Sequence, residues 1–341
     1  MNMPADIRGL SIRPGSRWKI FGELALIAVG ILLLSTTIKL HWLTDFIIFF
    51  ILVLSFDLLY GYMGHLSFGH MLYYGAGAYA TGLFLVNVGK NPIAALIAGV
   101  AVAAILSAML GLIVMRTHGA SFALINMALN EIGYFVIRSP LAKVTRGDDG
   151  LSCSSEKLFG IVNLNDDVSA FLFVGIMLLL VFAFLQVLTT SPFGILVRSI
   201  KENEKRVAFF GYDTFRSKWR VFVISSTLAA FAGGIFTLVR GFLSPQVISP
   251  FGNVEVIFAV LIGGAGNLYG ALIGGAIFML IKNFLPVMIP EVSKVIGVKL
   301  PQWEMWLGII LLIIVFAMRK GVVGVIRAQW HYRLRAARNA P

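Results

Sequence analysis

The chain has 341 residues, 58% of them hydrophobic and 13% charged, and a formal net charge of +12. A soluble domain carries roughly a quarter charged residues, so this composition excludes an ordinary soluble enzyme and describes a polytopic membrane protein. The basic excess would suggest nucleic acid in a soluble chain, but here it is confined to a few loops and tails, where membrane topology accounts for it.

Residues 1–20 form a basic segment, with Arg8, Arg13, Arg17 and Lys19 against Asp6, expected in the cytoplasm. The apolar run Phe21–Ile38 has no A-x-A-like exit and reads as a retained first span. About 18 residues at 1.5 Å each cover roughly 27 Å of hydrocarbon. Asp45–Tyr60 returns, Met71–Val88 crosses outward, Ile93–Met115 comes back and Ala120–Ile137 crosses outward again. Loop 139–167 is the longest polar one and is acidic on balance, which suits an extracytoplasmic position. Val168–Leu188 returns to loop 190–220, where Arg198, Lys201, Lys205, Arg206, Arg216, Lys218 and Arg220 outnumber the acids, so this loop is expected in the cytoplasm. Val221–Val239 follows. Val254–Gly264 is apolar but only about 11 residues, short of the roughly 20 that a full span needs. Leu268–Ile289 is long enough, with Pro286 and Pro290 expected to end it, and Trp303–Met318 is the last span. The tail 319–341 has basic and no acidic residues, so it too is expected inside. Two cytoplasmic ends require an even number of crossings: ten if Val254–Gly264 is stretched into one, eight if one of the others is re-entrant. The expected fold is an all-α bundle of about eight to ten transmembrane helices over 21–318.

Gly61–Gly82 punctuates this pattern with Gly61, Gly64, Gly69, Gly75, Gly77 and Gly82, beside His65, Ser67, His70 and Tyr73. Hydrocarbon tolerates broken backbone only where protein or a wet cavity surrounds it. The stretch therefore reads as an interrupted membrane helix beside a pathway, with close helix packing as the alternative. A weaker echo lies at Gly266-Asn267-Leu268-Tyr269-Gly270, and paired glycine breaks in two halves point to a site at a repeat interface.

On Ala120–Ile137, Asn126, Asn130 and Tyr134 share one helix face, with Glu131 alongside. Polar groups at that depth either line a pathway or hold helices together by hydrogen bonds. Asp57 and Glu131 are candidate ion sites if the chain is a self-sufficient carrier. Glu255 and Lys282 read as residues that snorkel to an interface. Ser191–Tyr212 reads as a short amphipathic helix. Ser191 is its N-cap, Pro192 its first residue and Gly211 its stop. Arg198–Glu202 and Glu202–Arg206 are i,i+4 pairs, and Ile200, Val207 and Ala208 lie on one apolar face. It is either a solvated connector or a plug for a groove on a partner.

These motifs resemble a known family. Gly64, Leu66, Ser67, Gly69, His70, Gly75, Gly77, Ala78 and Tyr79 resemble, position by position, the glycine-rich signature of the branched-chain amino-acid permeases of ATP-binding-cassette importers. Gly147-Asp148-Asp149-Gly150-Leu151 resembles their outer-loop element. Gly263-Gly264-Ala265-Gly266-Asn267-Leu268-Tyr269-Gly270 resembles a second glycine motif. Asp57 stands where such permeases often have an uncharged residue, and His65 where Gln is common. The extended amino terminus suits the larger, M-type subunit of the pair.

The resemblance implies a type II-like permease in the bacterial inner membrane, with both termini cytoplasmic. It implies a second homologous permease subunit, two cytoplasmic ATPase subunits and a periplasmic solute-binding protein. Arg198, Glu202, Asn203, Glu204, Ala208 and Gly211 would couple to the ATPase. Asp148 and Asp149 would meet the binding protein. Asp57, Gly64, His65, Ser67, Gly69, Tyr73, Asn126, Asn130, Glu131, Gly266 and Asn267 would line the pathway. Branched-chain or other hydrophobic amino acids are the implied solute, with urea, short amides and aromatic acids moved by close relatives.

The chain has no G-x-x-x-x-G-K-[ST] loop, so no P-loop ATP hydrolysis is expected of it. ATP and magnesium belong on the partners, and no cofactor is expected here. H-E-x-x-H and G-x-S-x-G are absent, which argues against an intramembrane enzyme. Cys153 is the only cysteine, and the five histidines lack metal-ligand spacing, so no metal site is expected.

Overall fold

A computed structural model describes residues 16–36, 38–158, 162–164, 166–296, 302–317 and 321–324. Most of the basic segment 1–20 and of the tail 319–341 lies outside the described residues. The described helices are α1 Ser16–Leu34, α2 Leu40–Asp57, α3 His70–Asn87, α4 Pro92–Val114, α5 Ala120–Arg138 and the single turn α6 Ala142–Thr145. After them come α7 Asp167–Thr190, α8 Pro192–Phe209, α9 Thr214–Arg240, α10 Pro250–Gly263, α11 Leu268–Ile296 and α12 Trp303–Ala317. Among the described residues six helices are long and apolar enough to cross a membrane, and Gly22–Leu34, Pro250–Gly263 and Trp303–Ile313 are shorter apolar helices.

Several helices start where a side chain satisfies free amides. Asn91 caps α4 ahead of Pro92, Asp166 caps α7 and Asp213 caps α9. α2 is apolar on every side and, Phe49 aside, is buried from Phe46 to Asp57, as a central helix must be. α9 packs on α2, and α3, α4 and α9 pack on one another through small residues. A Cβ at Gly77 would overlap the Ala230 backbone, one at Gly233 the Tyr74 carbonyl, and one at Gly99 the Thr81 hydroxyl. Buried hydroxyls tie the same helices, Ser225 donating to the Ser55 carbonyl at 2.6 Å and Thr237 to that of Ala78 at 3.0 Å. By contrast, α4, α5 and α7 turn Ile97, Ile105, Leu124, Ile132, Leu172 and Leu180 outward.

Two departures from the sequence expectation have local causes. Pro286 and Pro290 do not end α11, which runs through both to Ile296. A proline within a helix forfeits its own amide bond, and membrane helices accommodate that loss. The short segment at 254–264 is α10, which has 14 residues. Ahead of it the chain re-enters the bundle without an α-helix, through a 3₁₀ turn at Pro245–Ile248. Phe242–Leu243 (β2) pairs antiparallel with Leu151–Ser152 (β1). The chain then descends α3, with Leu243 against Gly82, Ile248 against Gly75 and the Asn253 side chain on the Met71 amide at 2.9 Å. α10 therefore begins beside the first turn of α3 and needs fewer turns. Irregular backbone is tolerated at that depth because protein surrounds it.

Candidate functional site

The glycine-rich stretch divides in two. Gly75, Gly77 and Gly82 lie within α3 and serve packing, the role set beside a pathway break as the alternative. Gly61, Gly64 and Gly69 belong to the break itself. α2 loosens into a π turn at Leu58–Tyr62 and ends, and the chain runs irregularly from Met63 to Gly69 before α3 starts at His70. The interruption thus separates two helices rather than bending one. Gly64 has φ +82°, a left-handed conformation that glycine adopts without strain.

The second glycine motif meets this break. Asp57 accepts the Gly266 amide at 2.8 Å, and a Cβ on Gly61 would overlap that same amide. Gly264 and Gly266 have φ +106° and +82°, which aim the α10–α11 turn at α2. Asn267 accepts the Tyr269 amide at 3.1 Å and so caps the turn locally. Asp57 is completely buried, and Lys201 and Arg198 of α8 are the cations whose charge reaches it.

α8 is the third component. Ser191 caps it by accepting the Gly194 amide at 3.3 Å, and Gly211, at φ +85°, stops it as expected. Lys201 Nζ donates to the Gly61 carbonyl at 2.6 Å, and the Arg198 guanidinium lies over the Tyr62 ring, 4.7 Å from its centre. One helix therefore grips the π turn that leads into the break.

Several details of α8 differ from the sequence reading. Among the described residues neither i,i+4 ion pair forms, because Arg198 is engaged by Tyr62 and Asn203 leaves the helical conformation. Asn203 accepts the Arg206 amide at 2.9 Å, capping a second short helical piece. Ile200 and Val207 are buried as expected, but Ala208, one residue on from Val207, is exposed. Glu204 reaches Lys218 at 2.6 Å and His118 at 3.5 Å. Burial alone would raise the Glu204 carboxyl, but the Lys218 hydrogen bond and charge outweigh it and hold the group below its usual range.

The remaining candidates fall into separate places. His65 stacks edge-on against Phe122 at 5.1 Å. Ser67 accepts the Gly69 amide at 3.2 Å, and Gly69 lies so close to Asn126 that a Cβ would overlap its carbonyl. Asn130 donates to the Ile248 carbonyl at 2.9 Å and accepts from Asn253 at 3.4 Å, fixing the re-entrant segment. Tyr73 is fully buried against Phe222 and belongs to the core. Glu131 points away from Asn126 and Asn130 and is exposed. Asp148 is held by Arg138 through two bonds of 2.7 Å, which lower its carboxyl, while Asp149 is exposed.

Sequence reasoning missed Lys201, Asn253 and the Asp45–Arg240 pair. It read Glu255 and Lys282 as snorkelling, whereas they pair with each other. Among the described residues no group of three metal-ligating side chains occurs.

A sequence profile for the family described as branched-chain amino acid transport system / permease component matches residues 38–318. The chain is 26% identical over 324 residues to the probable branched-chain amino acid transport permease protein LivM of Methanocaldococcus jannaschii, covering 81% of this chain and 90% of that protein. It is 25% identical over 266 residues to the high-affinity branched-chain amino acid transport system permease protein LivM of Escherichia coli K12, covering 70% of this chain and 61% of that one. The corresponding LivH protein of Salmonella typhimurium is 25% identical over 244 residues, 67% of this chain and 78% of that one. No solved structure matches the chain.

Proposed function

The chain belongs to the branched-chain amino acid transport system permease family, and from that premise we propose that it is a permease subunit of an ATP-driven importer of branched-chain or similarly apolar amino acids. One observation carries the mechanism: α8 holds Gly61 through Lys201, and Gly61 and Asp57 hold Gly266. A push or pull on α8 therefore reaches both glycine breaks at once. In this reading α8 is the segment that separate ATPase subunits move, and the breaks are where the helices swing. Small shifts are amplified because packed elements have discrete arrangements.

A second permease subunit completes the pathway in this reading. Glu131 is exposed on a helix otherwise apolar enough for a membrane, and lipid does not accept an unpaired carboxylate there. The face that carries Glu131 is accordingly assigned to the second subunit or to water between the two. The finer topology follows the basic loops: about ten crossings in a type II-like arrangement, both termini and α8 on the cytoplasmic side of an inner membrane, and Asp148 and Asp149 toward an extracytoplasmic binding protein.

The test is reconstitution of the chain with its companion permease, ATPase and binding protein in liposomes. ATP-dependent accumulation of labelled leucine supports the reading. Absence of any ATP-dependent amino-acid uptake by the complete assembly refutes it.

A further inference from the structure

At the other end of the bundle from α8, four charged side chains face one cavity of about 410 Å³. They are Asp45 of α2, Arg240 at the end of α9, Glu255 of α10 and Lys282 of α11. They are closed into two ion pairs. Arg240 holds Asp45 with both arms of its guanidinium, Nε donating to Oδ1 at 3.0 Å and Nη2 to Oδ2. Lys282 Nζ donates to the two Glu255 oxygens at 2.7 and 2.6 Å. The pairs are neighbours, lining the same cavity. The wall between them is apolar and includes Phe49, Leu52, Phe236 and Met279. Its size falls in the range of about 300–1,000 Å³ seen for small-molecule sites.

All four side chains are partly exposed, 27–40%, so their charged ends are open to a solute that enters the cavity. A cavity with two cations, two carboxylates and an apolar wall has a matching ligand class. An amino acid with an apolar side chain carries one ammonium and one carboxylate. It can enter by exchanging partners with the two pairs, leaving no charge uncompensated. Another wall of the cavity is the re-entrant segment, through Ser244, Gln246 and Gly252, where the half-length α10 begins. Transport sites recur where membrane helices are discontinuous.

We propose that this cavity is a transit site for zwitterionic apolar amino acids, with Arg240 and Lys282 taking the carboxylate and Asp45 and Glu255 the ammonium. The proposal rests on the transport reading above and adds a solute site within this chain that the reading does not require.

The test is equilibrium binding of labelled L-leucine to the full chain in lipid nanodiscs, with isopentylamine and 4-methylpentanoate as competitors carrying only one of the two charges. Saturable leucine binding is expected, with each competitor at least about tenfold weaker, because a site built for both groups leaves one unpaired. The double variant Asp45→Asn/Arg240→Gln removes a whole pair and strands neither partner; it is expected to bind leucine at least about tenfold more weakly. Gln246→Trp, an exposed position on the rim, fills the mouth with both pairs intact and is expected to weaken binding likewise. Absent binding by the natural chain, equal competition by the amine or the acid, or unchanged affinity in both variants overturns the site. Normal ATP-driven leucine import by complexes carrying either variant also overturns it, and leaves the permease reading standing. Failure of the natural complex to import any amino acid defeats that reading instead, whatever the binding result.

Discussion

Lys201 of α8 donates to the backbone carbonyl of Gly61, 140 residues earlier in the chain, at 2.6 Å. The bond joins the most charged loop of the protein to the point where its most buried helix unwinds. Lys201→Met keeps the aliphatic stem beside Gly64 and removes the donor. A hydrogen bond to a charged group contributes about 1.5–3 kcal/mol, so ATP-driven uptake by the complete complex should fall about tenfold or more. ATP hydrolysis should persist, because in the proposed assembly it belongs to separate ATPase subunits. Unchanged uptake would show that α8 does not act through Gly61.

Asp57 supports the second glycine break through an oxygen that accepts the Gly266 amide. Asp57→Asn retains that acceptor and discards the charge. Uptake and its pH profile should stay within about twofold of the natural protein if the residue is architectural. Asp57→Ala strands the Gly266 amide and should cost about 1–3 kcal/mol, read as a lower thermal unfolding midpoint. Loss of uptake in the Asn variant, or a displaced pH profile, would make Asp57 an ion site.

The glycines divide by what surrounds them. Gly77→Ala forces a methyl group into the Ala230 backbone and should destabilise by about 1–3 kcal/mol. Gly175→Ala, with open space around it on α7, should stabilise by about 0.5–1 kcal/mol. Equal unfolding midpoints for the two variants would contradict the packing described for α3 and α9.

Glu204 is held below its usual range by Lys218 in the folded chain, against a reference of 4.5. A carboxyl depressed by folding contributes stability that is complete above its unfolded value and is lost as pH falls through the folded one. The thermal midpoint should therefore fall as pH drops through 4.5 and below, and should fall less in Glu204→Gln. Equal pH dependence in the two proteins would remove the Glu204–Lys218 link from the attachment of α8.

Much of this architecture is legible in the sequence, because hydrocarbon imposes a coarse and strong code. Apolar runs gave the long helices, and Ser191, Pro192 and Gly211 gave the limits of α8. The two glycine motifs were visible as a pair, and they do meet, at Gly61 and Gly266. What escaped was lateral. Nothing in the spacing of Lys201 distinguishes it from a solvated lysine, since its partner is a backbone carbonyl on another helix. The descent from Phe242 to Ser249 carries no periodicity at all, so a helix made short by its starting depth reads simply as too short. Pro286 and Pro290 mislead because proline ends helices in soluble proteins, whereas α11 runs through both. Glu131 shares a helix with Asn126 and Asn130, but one residue is about 100° of rotation, which turns it outward.

The account stands or falls on whether this chain moves solute by itself. The direct measurement compares leucine accumulation in liposomes containing the chain alone, under proton and sodium gradients, with liposomes containing the complete ATP-fed complex. The account predicts concentrative uptake only in the complete complex. Accumulation by the chain alone on an ion gradient would contradict it.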